Sequence, residues 1–234
     1  MARITREKFK TFGAVFDNFT IRNLFELSSR DFFEEGTLSP ISVGKESNVF
    51  SAHRQDQRVV VKIHRLETSD FNRMYFYIKG DPRFQGLQRQ RRKIIFAWTQ
   101  REYRNLLLAR EAGCNVPMPI AFKDNILVMS QVGKVSPAPK LKDSLPENRQ
   151  KFFDSIVDNI RKLHKAGYTH GDLSAFNILN DNSTPYLIDL SSMIPKQAPA
   201  FNDLLERDVR NICLFFSKHG LKADFGRILR KIEK

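Results

Sequence analysis

Hydrophobic residues recur at two different spacings in the first third of the chain. Near the amino terminus, phenylalanines stand three or four positions apart, which is the spacing of one helix face, and we expect helix within residues 1–36. The runs VGKESNVFSA (43–52) and RVVVKI (58–63) predict two strands joined by a turn at 55–57. Lys62 ends the second run, and a lysine on a buried strand costs free energy unless it has a partner.

The middle of the chain predicts one long helix between a loop and a strand. Residues 65–92 are polar and charged, and we expect a mobile loop there. A helix is predicted from Arg92 to Glu111 and ends before Gly113. Its expected core contacts are Ile95, Trp98, Leu106 and Leu107. The run NILVMS (125–130) predicts another strand.

The carboxyl-terminal half is predicted to be mainly helical. Gly133 and the prolines at 137 and 139 indicate a linker, after which apolar residues at helical spacing predict a helix over 147–166. FNIL and PYLIDL predict a short hairpin, and two closing helices follow over 201–217 and 222–232. We therefore divide the chain into an amino-terminal helical extension, a small lobe with a sheet and a long helix, and a helical lobe, over residues 1–40, 41–133 and 134–234.

Composition and charge narrow the class of protein. With 234 residues, 41% of them hydrophobic, the chain can bury a core of its own. The two cysteines form neither a disulfide framework nor a zinc pattern. The charged start MARITREKFK and the short apolar runs predict no signal peptide and no membrane span, so we expect a soluble, cytoplasmic protein. A net charge of +13 favours polyanionic partners such as RNA.

Five polar features follow one another in an order that suits phosphoryl transfer. They are Gly44 in a turn, Lys62 ending a strand, Glu102 in a helix, Asp172 five positions before Asn177, and Asp189 after an apolar run. A lysine can neutralise nucleotide phosphates, and a glutamate can hold it by an ion pair. One amide and one carboxylate oxygen, from Asn177 and Asp189, suffice as protein ligands for Mg²⁺. Asp172 is then free to orient or deprotonate a hydroxyl.

These residues also carry a resemblance to a known family. HGDLSAFNIL (170–179) resembles the catalytic loop of kinase-like phosphotransferases, and ISVGKESNVF (41–50) resembles the phosphate loop of the RIO atypical protein kinases. GDPRF, ILVMSQVG, YLIDLSS and LERDVRNICLFFSKHG also match, so the resemblance runs from about Thr20 to the end of the chain. GDPRF and VMSQVG are similar to the type 1 subfamily in its archaeal form, whereas GKESNVF and VKIHRL are closer to type 2.

The resemblance implies an α+β, two-lobed protein-kinase-like fold and a set of residue roles. Asp172 is the implied catalytic base, Asn177 and Asp189 hold Mg²⁺ or Mn²⁺, and Lys62 with Glu102 positions the phosphates of ATP. Asp189 is also a possible acceptor of phosphate as an aspartyl-phosphate. The implied nucleotide site comprises Ser42, Val43, Gly44, Lys45, Ser47, Val49, Val60, Lys62, Met129, Ser130, Val132 and Ile188. The implied cellular role is late maturation of the small ribosomal subunit.

The chain departs from common protein kinases in ways that affect its expected substrates. Gly171 stands before the catalytic aspartate in place of arginine, and Asp189-Leu190-Ser191 replaces the usual Asp-Phe-Gly. Only 45 residues follow Asp189 (234 minus 189), without an Ala-Pro-Glu motif. These features favour ATP hydrolysis or self-phosphorylation coupled to a large partner over a general peptide kinase.

A basic stretch adds a candidate RNA surface. Eight lysines and arginines, against two acids, lie between Lys79 and Arg104. We expect Arg89, Arg91, Arg92 and Lys93 to contact the phosphate backbone of the rRNA in the small-subunit precursor, with no DNA and no membrane as partners. Two alternatives stay open: a small-molecule phosphotransferase of the aminoglycoside-kinase type, which shares an HGDL-x4-N loop, and a non-catalytic ribosome-binding factor switched by ATP.

Overall fold

A computed structural model describes residues 16–234, and a five-stranded antiparallel sheet organises their first half. Its spatial order is β1-β2-β3-β5-β4. The strands are β1 (Ser39–Val43), β2 (Ser47–Arg54), β3 (Gln57–His64), β4 (Pro119–Lys123) and β5 (Ile126–Ser130). The predicted strands at 43–52, 58–63 and 125–130 are thus present, with Gly44 in the turn between β1 and β2. Strands β1 and β4 were not predicted.

Helix α1 (Asn18–Ser29) covers one face of this sheet. The side chain of Asp17 caps it by accepting the N–H of Thr20 at 2.8 Å. Successive side chains of a strand alternate between faces, so Val59, Val61 and Ile63 of β3 join the core under α1. The helical prediction for 1–36 is confirmed over α1, whereas Phe9 and Phe12 lie outside the described residues.

Two helices follow β3, and the first of them replaces the loop that the sequence predicted. Residues 65–92 contain α2 (Phe71–Lys79), capped by Asp70, and a 3-10 turn (Pro82–Phe84). The prediction of a structureless loop is wrong because the apolar side chains of Met74, Tyr77 and Ile78, at helical spacing, are buried.

Helix α3 (Arg91–Glu111) packs between the sheet and the second lobe. Its bounds agree with the prediction to one residue. Ile95, Trp98 and Leu106 are buried as expected, but Leu107 is 39% exposed, so its assignment to the core is wrong. The helix points that side chain toward solvent because the buried positions around it are 105, 106 and 109.

The second lobe is built from helices and three small strand pairings. Its helices are α4 (Arg149–Lys165), α5 (Phe201–Lys218) and α6 (Phe225–Glu233), close to the predicted ranges. The predicted hairpin is formed by β7 (Ile178–Asp181) and β8 (Thr184–Leu187). A second pair joins β6 (Tyr168–Thr169) to β9 (Ile194–Pro195). Lys140 in the segment after β5 makes an isolated bridge to Leu179, which ties the linker to the hairpin.

Candidate active site

Lys62 lies at the inner end of a cleft because of the alternation along β3. Its neighbours Val61 and Ile63 enter the core under α1, and Lys62 therefore emerges on the opposite face. There its Nζ donates to Oε1 and Oε2 of Glu102, at 2.7 and 2.9 Å, and to Oδ1 of Asp189 at 3.1 Å. The lysine predicted to need a partner on a buried strand thus has two.

The charges of this cluster stabilise one another. Burial alone would lower the pKa of Lys62, but the carboxylates of Asp189 and Glu102 raise it well above its ordinary value. Burial alone would raise the pKa of Asp189, but the Lys62 ammonium and a hydrogen bond from Ser191 hold it well below its ordinary value. The Lys62 ammonium and the Asp189 carboxylate are therefore charged at neutral pH, as phosphate and metal binding require.

A cavity of about 690 Å³ opens from this cluster between the two lobes. Its size is that of a small-molecule or cofactor site. It is lined by the predicted nucleotide residues Ser42, Gly44, Lys45, Ser47, Val49, Val60, Lys62, Met129, Ser130, Val132 and Ile188. Val43 does not line the cavity and is 67% exposed, because it follows Ser42 on β1 and so points to the other face of the sheet.

The catalytic loop is held in place by Asp208, an acid that the sequence analysis did not single out. Its buried carboxylate accepts the backbone N–H groups of Gly171 (2.7 Å) and Leu173 (2.8 Å) and the hydroxyl of Thr169 (3.2 Å). His170 lies on the same loop, and its Nε2 is 3.0 Å from the Ile188 carbonyl. The sequence did contain a sign of this role. Asp208 lies among the buried apolar residues of α5, and a charged residue in such a position needs buried partners.

Gly171 explains the missing arginine of the common kinase motif. It has φ of +76°, and a Cβ at this position would lie 2.4 Å from the carbonyl oxygen of Ser192. A side chain would therefore require the backbone around Ser192 to move. Close packing of the catalytic loop against the segment after Asp189 takes the space that a larger residue would need.

The residues predicted to hold a metal offer suitable oxygen atoms. Nδ2 of Asn177 donates to the backbone carbonyl of Asp172 at 2.8 Å, which leaves Oδ1 for a cation. Asp189 has a left-handed backbone (φ +61°) and uses Oδ1 for Lys62 and Ser191, and no described residue donates to its Oδ2. Two oxygens of this kind fit Mg²⁺, which keeps several waters or phosphate oxygens as its other ligands.

Asp172 lies beside Asn177 but is paired with an arginine from α2. Nη2 of Arg73 donates to Oδ2 of Asp172 at 2.7 Å, and the hydroxyl of Tyr77 donates to the Gly171 carbonyl at 3.3 Å. Sequence reasoning missed this contact because α2 was read as a loop. The signal was present in FNRMYFYIK, where Asp70 precedes apolar residues at helical spacing.

A buried network connects the GDPRF segment to the turn that follows Asp189. Arg101 of α3 is fully buried, and its Nε donates to Asp81 at 2.9 Å while its Nη2 donates to the Met193 carbonyl at 2.7 Å. Arg83 also pairs with Asp81, and Nδ2 of Asn105 donates to the Leu190 carbonyl at 2.8 Å. The sequence placed Arg101 in a basic stretch, and only the structure shows that it faces inward.

The four candidate RNA residues are all exposed, but their surroundings differ. Arg89 lies over the rings of Phe71 and Tyr75, and Arg92 lies over the ring of Phe19. Lys93 donates to the side chain of Gln88 at 2.6 Å. Arg91 donates to the carbonyls of Leu66, Glu67 and Ser69, so its guanidinium also fixes the segment between β3 and α2.

The fold and the site define a two-lobed, protein-kinase-like phosphotransferase. A match to the RIO domain covers residues 48–228, and the chain belongs to the RIO family of serine/threonine-protein kinases. The chain is 38% identical over 220 residues to the RIO-type serine/threonine-protein kinase Rio1 of Haloferax volcanii, with 93% of this chain and 76% of the relative covered. It is 39% identical over 228 residues to the Rio1 kinase of Methanocaldococcus jannaschii, with 97% and 78% covered.

A solved structure supports the fold. The crystal structure of the Rio2 kinase–ADP/Mg²⁺–phosphoaspartate complex from Chaetomium thermophilum superposes with a TM-score of 0.67 at 23% identity. The superposition covers 90% of this chain and 65% of that chain. The predicted α+β two-lobed kinase fold is confirmed, as is the resemblance to RIO kinases of the archaeal type 1 group. Family membership favours a protein kinase over a small-molecule phosphotransferase. Among the described helices, none has the length and apolar character needed to span a membrane.

Proposed function

We propose that this protein is an ATP-dependent serine/threonine kinase and ATPase that phosphorylates itself and acts in maturation of the small ribosomal subunit. The observation that carries the catalytic part is the Lys62–Glu102–Asp189 cluster at the inner end of the interlobe cavity. Kinases use such a lysine–glutamate pair with a metal-binding aspartate to position a nucleoside triphosphate.

ATP fits the cavity with its base toward β5 and its phosphates toward the turn after β1. Met129 and the backbone around Ser130 and Val132 line the part that would receive adenine. Gly44, Lys45 and Ser47 line the part nearer the phosphates. Asn177 and Asp189 would hold Mg²⁺ or Mn²⁺, which neutralises phosphate charge.

Asp172 would direct the chemical step. Its carboxylate accepts a hydrogen bond from the attacking hydroxyl or water, whose oxygen forms a bond to the γ-phosphorus of ATP. The bond between that phosphorus and the oxygen of ADP breaks, and the proton passes to Asp172. A serine or threonine acceptor becomes a phosphoester, whereas water gives free phosphate.

Asp189 offers a second acceptor within the site. Its Oδ2 accepts no hydrogen bond from the described residues, so it is available either to a metal or as a nucleophile. Attack of this oxygen on the γ-phosphorus would give ADP and an aspartyl-phosphate, and water would later release phosphate from it. This route would give an ATPase in which Asp189 carries phosphate after ADP is formed and loses it to water before the next cycle. It also requires no peptide to be docked.

The ribosomal part of the proposal rests on charge. A net charge of +13 and the exposed residues Arg89, Arg92 and Lys93 favour binding of the phosphate backbone of rRNA. The expected partner is the small-subunit precursor, in the cytoplasm, without a role for DNA or membranes. Contacts to phosphate give affinity with little sequence information, so the large partner would supply the specificity.

The test is turnover of γ-labelled ATP by the purified protein, with and without small ribosomal subunits, and with label followed on protein and in solution. We expect subunits to stimulate phosphate release. Asp172→Ala should abolish transfer and keep nucleotide binding, whereas Asp189→Ala should lose metal-dependent binding and transfer together. Lys162→Ala, at a half-buried position of α4 where the lysine pairs with Asp158, is the control and should behave as wild type.

Two outcomes would contradict the proposal. Near-normal turnover by Asp172→Ala would remove that residue from the chemistry. Subunit binding that depends on ATP, without any phosphate release or transfer, would identify a non-catalytic switch instead of an enzyme.

A further inference from the structure

Helix α2 contacts the catalytic loop, and none of its residues lines the nucleotide cavity. It contributes Arg73 to the carboxylate of Asp172 and Tyr77 to the carbonyl of Gly171. An acceptor hydroxyl has to reach Asp172, and every such hydroxyl therefore approaches within a few ångströms of the Arg73 guanidinium. This places a fixed positive charge on the acceptor side of the site.

The Arg73–Asp172 ion pair is exposed enough for another anion to replace one partner, unlike the Lys62–Glu102 pair deeper in the cleft. The side chains of Arg73 and Asp172 are 39% and 40% exposed, whereas those of Lys62 and Glu102 are 8% and 1% exposed. Water competes with half-exposed ion pairs, so such pairs contribute little stability. An incoming anion can replace Asp172 as the partner of Arg73 at low cost, and the guanidinium keeps its charge throughout.

Two further cations lie near this pair. Arg207 donates to the Gly171 carbonyl, and Nζ of Lys142 lies 5.2 Å from the ring centre of Phe176, a residue of the catalytic loop that is 58% exposed. The acids nearby are Asp70, which accepts the backbone N–H of Arg73 at 3.0 Å, Asp143, which pairs with Lys142 at 2.6 Å, Glu46, which interacts electrostatically with Arg73, and the buried Asp208. Because the cation that contacts Asp172 itself is Arg73, complementarity beside the acceptor hydroxyl favours a segment that carries negative charge.

We propose that Arg73 determines acceptor specificity by selecting serine or threonine residues in acidic segments. A carboxylate beside the acceptor hydroxyl takes over the guanidinium, which frees Oδ2 of Asp172 to accept the hydroxyl proton. A neutral or basic segment leaves the Arg73–Asp172 pair intact, so that only Oδ1 of Asp172 is open to its hydroxyl. This inference rests on the proposed function, since it concerns the acceptor of the same phosphoryl transfer.

The test compares two peptides, each with a central serine, flanked in one by glutamates and in the other by glutamines. For wild type we expect kcat/KM to be about tenfold higher for the glutamate peptide, because its complex has one more charge-assisted hydrogen bond than that of the glutamine peptide. Arg73→Gln should bring the ratio close to one while the affinity for ADP stays unchanged. Arg73→Lys should keep part of the preference.

A matched control removes an arginine from a different exposed ion pair. Nη1 of Arg30, the residue that follows α1, lies 4.0 Å from Oε1 of Glu26, and Arg30→Gln should leave the peptide preference as in wild type. Equal kcat/KM for the two peptides in wild type, or a preference that survives in Arg73→Gln, would overturn the inference. So would equal acceleration of both peptides by Arg73→Gln, since Arg73 would then only block Asp172.

A binding measurement separates this inference from the proposed function. The same peptides with alanine in place of serine are titrated into the ADP-loaded protein by fluorescence anisotropy, which needs no turnover. Tighter binding of the glutamate peptide to wild type, lost in Arg73→Gln, supports the acceptor site even if no phosphate is transferred. Equal binding of the two alanine peptides contradicts it even if ATP is hydrolysed as proposed.

Discussion

The fully buried guanidinium of Arg101 donates to the carboxylate of Asp81 at 2.9 Å and so joins the middle of α3 to the turn that follows α2. The same guanidinium donates to the backbone carbonyls of Ser191 and Met193, in the segment directly after Asp189. One arginine therefore links the helix that carries Glu102, the turn that follows α2, and the segment that follows Asp189.

Asp81→Asn should lower the free energy of unfolding by about 3–5 kcal/mol at pH 7, because it leaves the buried Arg101 without its counter-charge. Burial alone would raise the pKa of Asp81, but hydrogen bonds from Arg83 and Arg101 hold it below its ordinary value. A depressed folded-state pKa contributes stability above the unfolded pKa of about 3.9, and this contribution is lost as the pH falls below that value. Urea unfolding at pH 7 and pH 3 should therefore show a smaller difference between variant and wild type at pH 3. An undiminished difference at pH 3 would contradict the ionic role.

Glu102→Gln should reduce the kcat/KM for ATP by about ten- to a hundredfold, since it removes a charge-assisted contact to Lys62. Lys62 keeps Asp189 as its partner in this variant. We expect the ammonium to move closer to the Asp189 carboxylate and to compete there with the metal ion. The Mg²⁺ concentration needed for half-maximal turnover should rise in the variant. The matched control is Glu111→Gln at the end of the same helix; the assignment fails if both variants behave alike.

Asp208→Asn should weaken the hydrogen bonds that hold the catalytic loop without changing nucleotide binding. Asn has one acceptor oxygen where the carboxylate uses both, so at least one of the N–H groups of Gly171 and Leu173 loses its partner. The expected cost is about 1–3 kcal/mol in unfolding free energy, with a lower kcat and an unchanged affinity for ADP. A variant with normal kcat would show that the loop does not depend on these hydrogen bonds.

Gly171→Ala and Gly167→Ala form a matched pair, since both glycines have positive φ, of +76° and +84°. A Cβ on Gly167 meets nothing within 4 Å, so that substitution should cost only about 1 kcal/mol for its backbone conformation. A Cβ on Gly171 lies 2.4 Å from the Ser192 oxygen, and we expect a cost of about 3 kcal/mol or more and a loss of turnover. Thermal unfolding of the two variants checks this difference. Equal melting temperatures would mean that the backbone around Ser192 yields easily.

Replacing Arg89, Arg91, Arg92 and Lys93 by alanine should weaken the binding of rRNA and reduce its dependence on salt. Each lost phosphate contact is expected to lower the slope of log affinity against log salt by about 0.7–0.9. Arg91→Ala alone should also destabilise the segment between β3 and α2, because its guanidinium holds the carbonyls of Leu66 and Ser69. Filter binding over a range of salt concentrations measures the slope, and an unchanged slope would rule out these residues as RNA contacts.

The sequence was informative wherever a residue's role depends on its neighbours in the chain. The run RVVVKI predicted a buried strand whose Lys62 needs a partner, and the structure provides two, Glu102 and Asp189. The motif HGDLSAFNIL predicted that Asp172 and Asn177 lie in one loop, and the amide of Asn177 does bond to the backbone carbonyl of Asp172. Of the nucleotide-site residues that the family resemblance implies, only Val43 does not line the cavity.

The sequence was least informative about charged residues and polar segments that are buried in the structure. The polar character of residues 65–92 predicts a mobile loop, but the structure has α2 there, which buries Met74 and Ile78. Arg101 was counted in a basic surface, although it is fully enclosed. A charged side chain is usually exposed, and only its partners in space, here Asp81, reveal the exception.

By itself the sequence determined the elements, the family and the charged residues of the cleft, because helix and strand periods and short motifs are local properties of the chain. Only the tertiary structure decided that Asp208 anchors the catalytic loop, that Arg73 pairs with Asp172, and that Arg101 reaches the turn after Asp189. Each of these contacts joins residues more than thirty positions apart, as their separations of 37, 99 and 90 show. Such contacts form only when α2, α3 and α5 pack around the catalytic loop, and no local pattern encodes that packing.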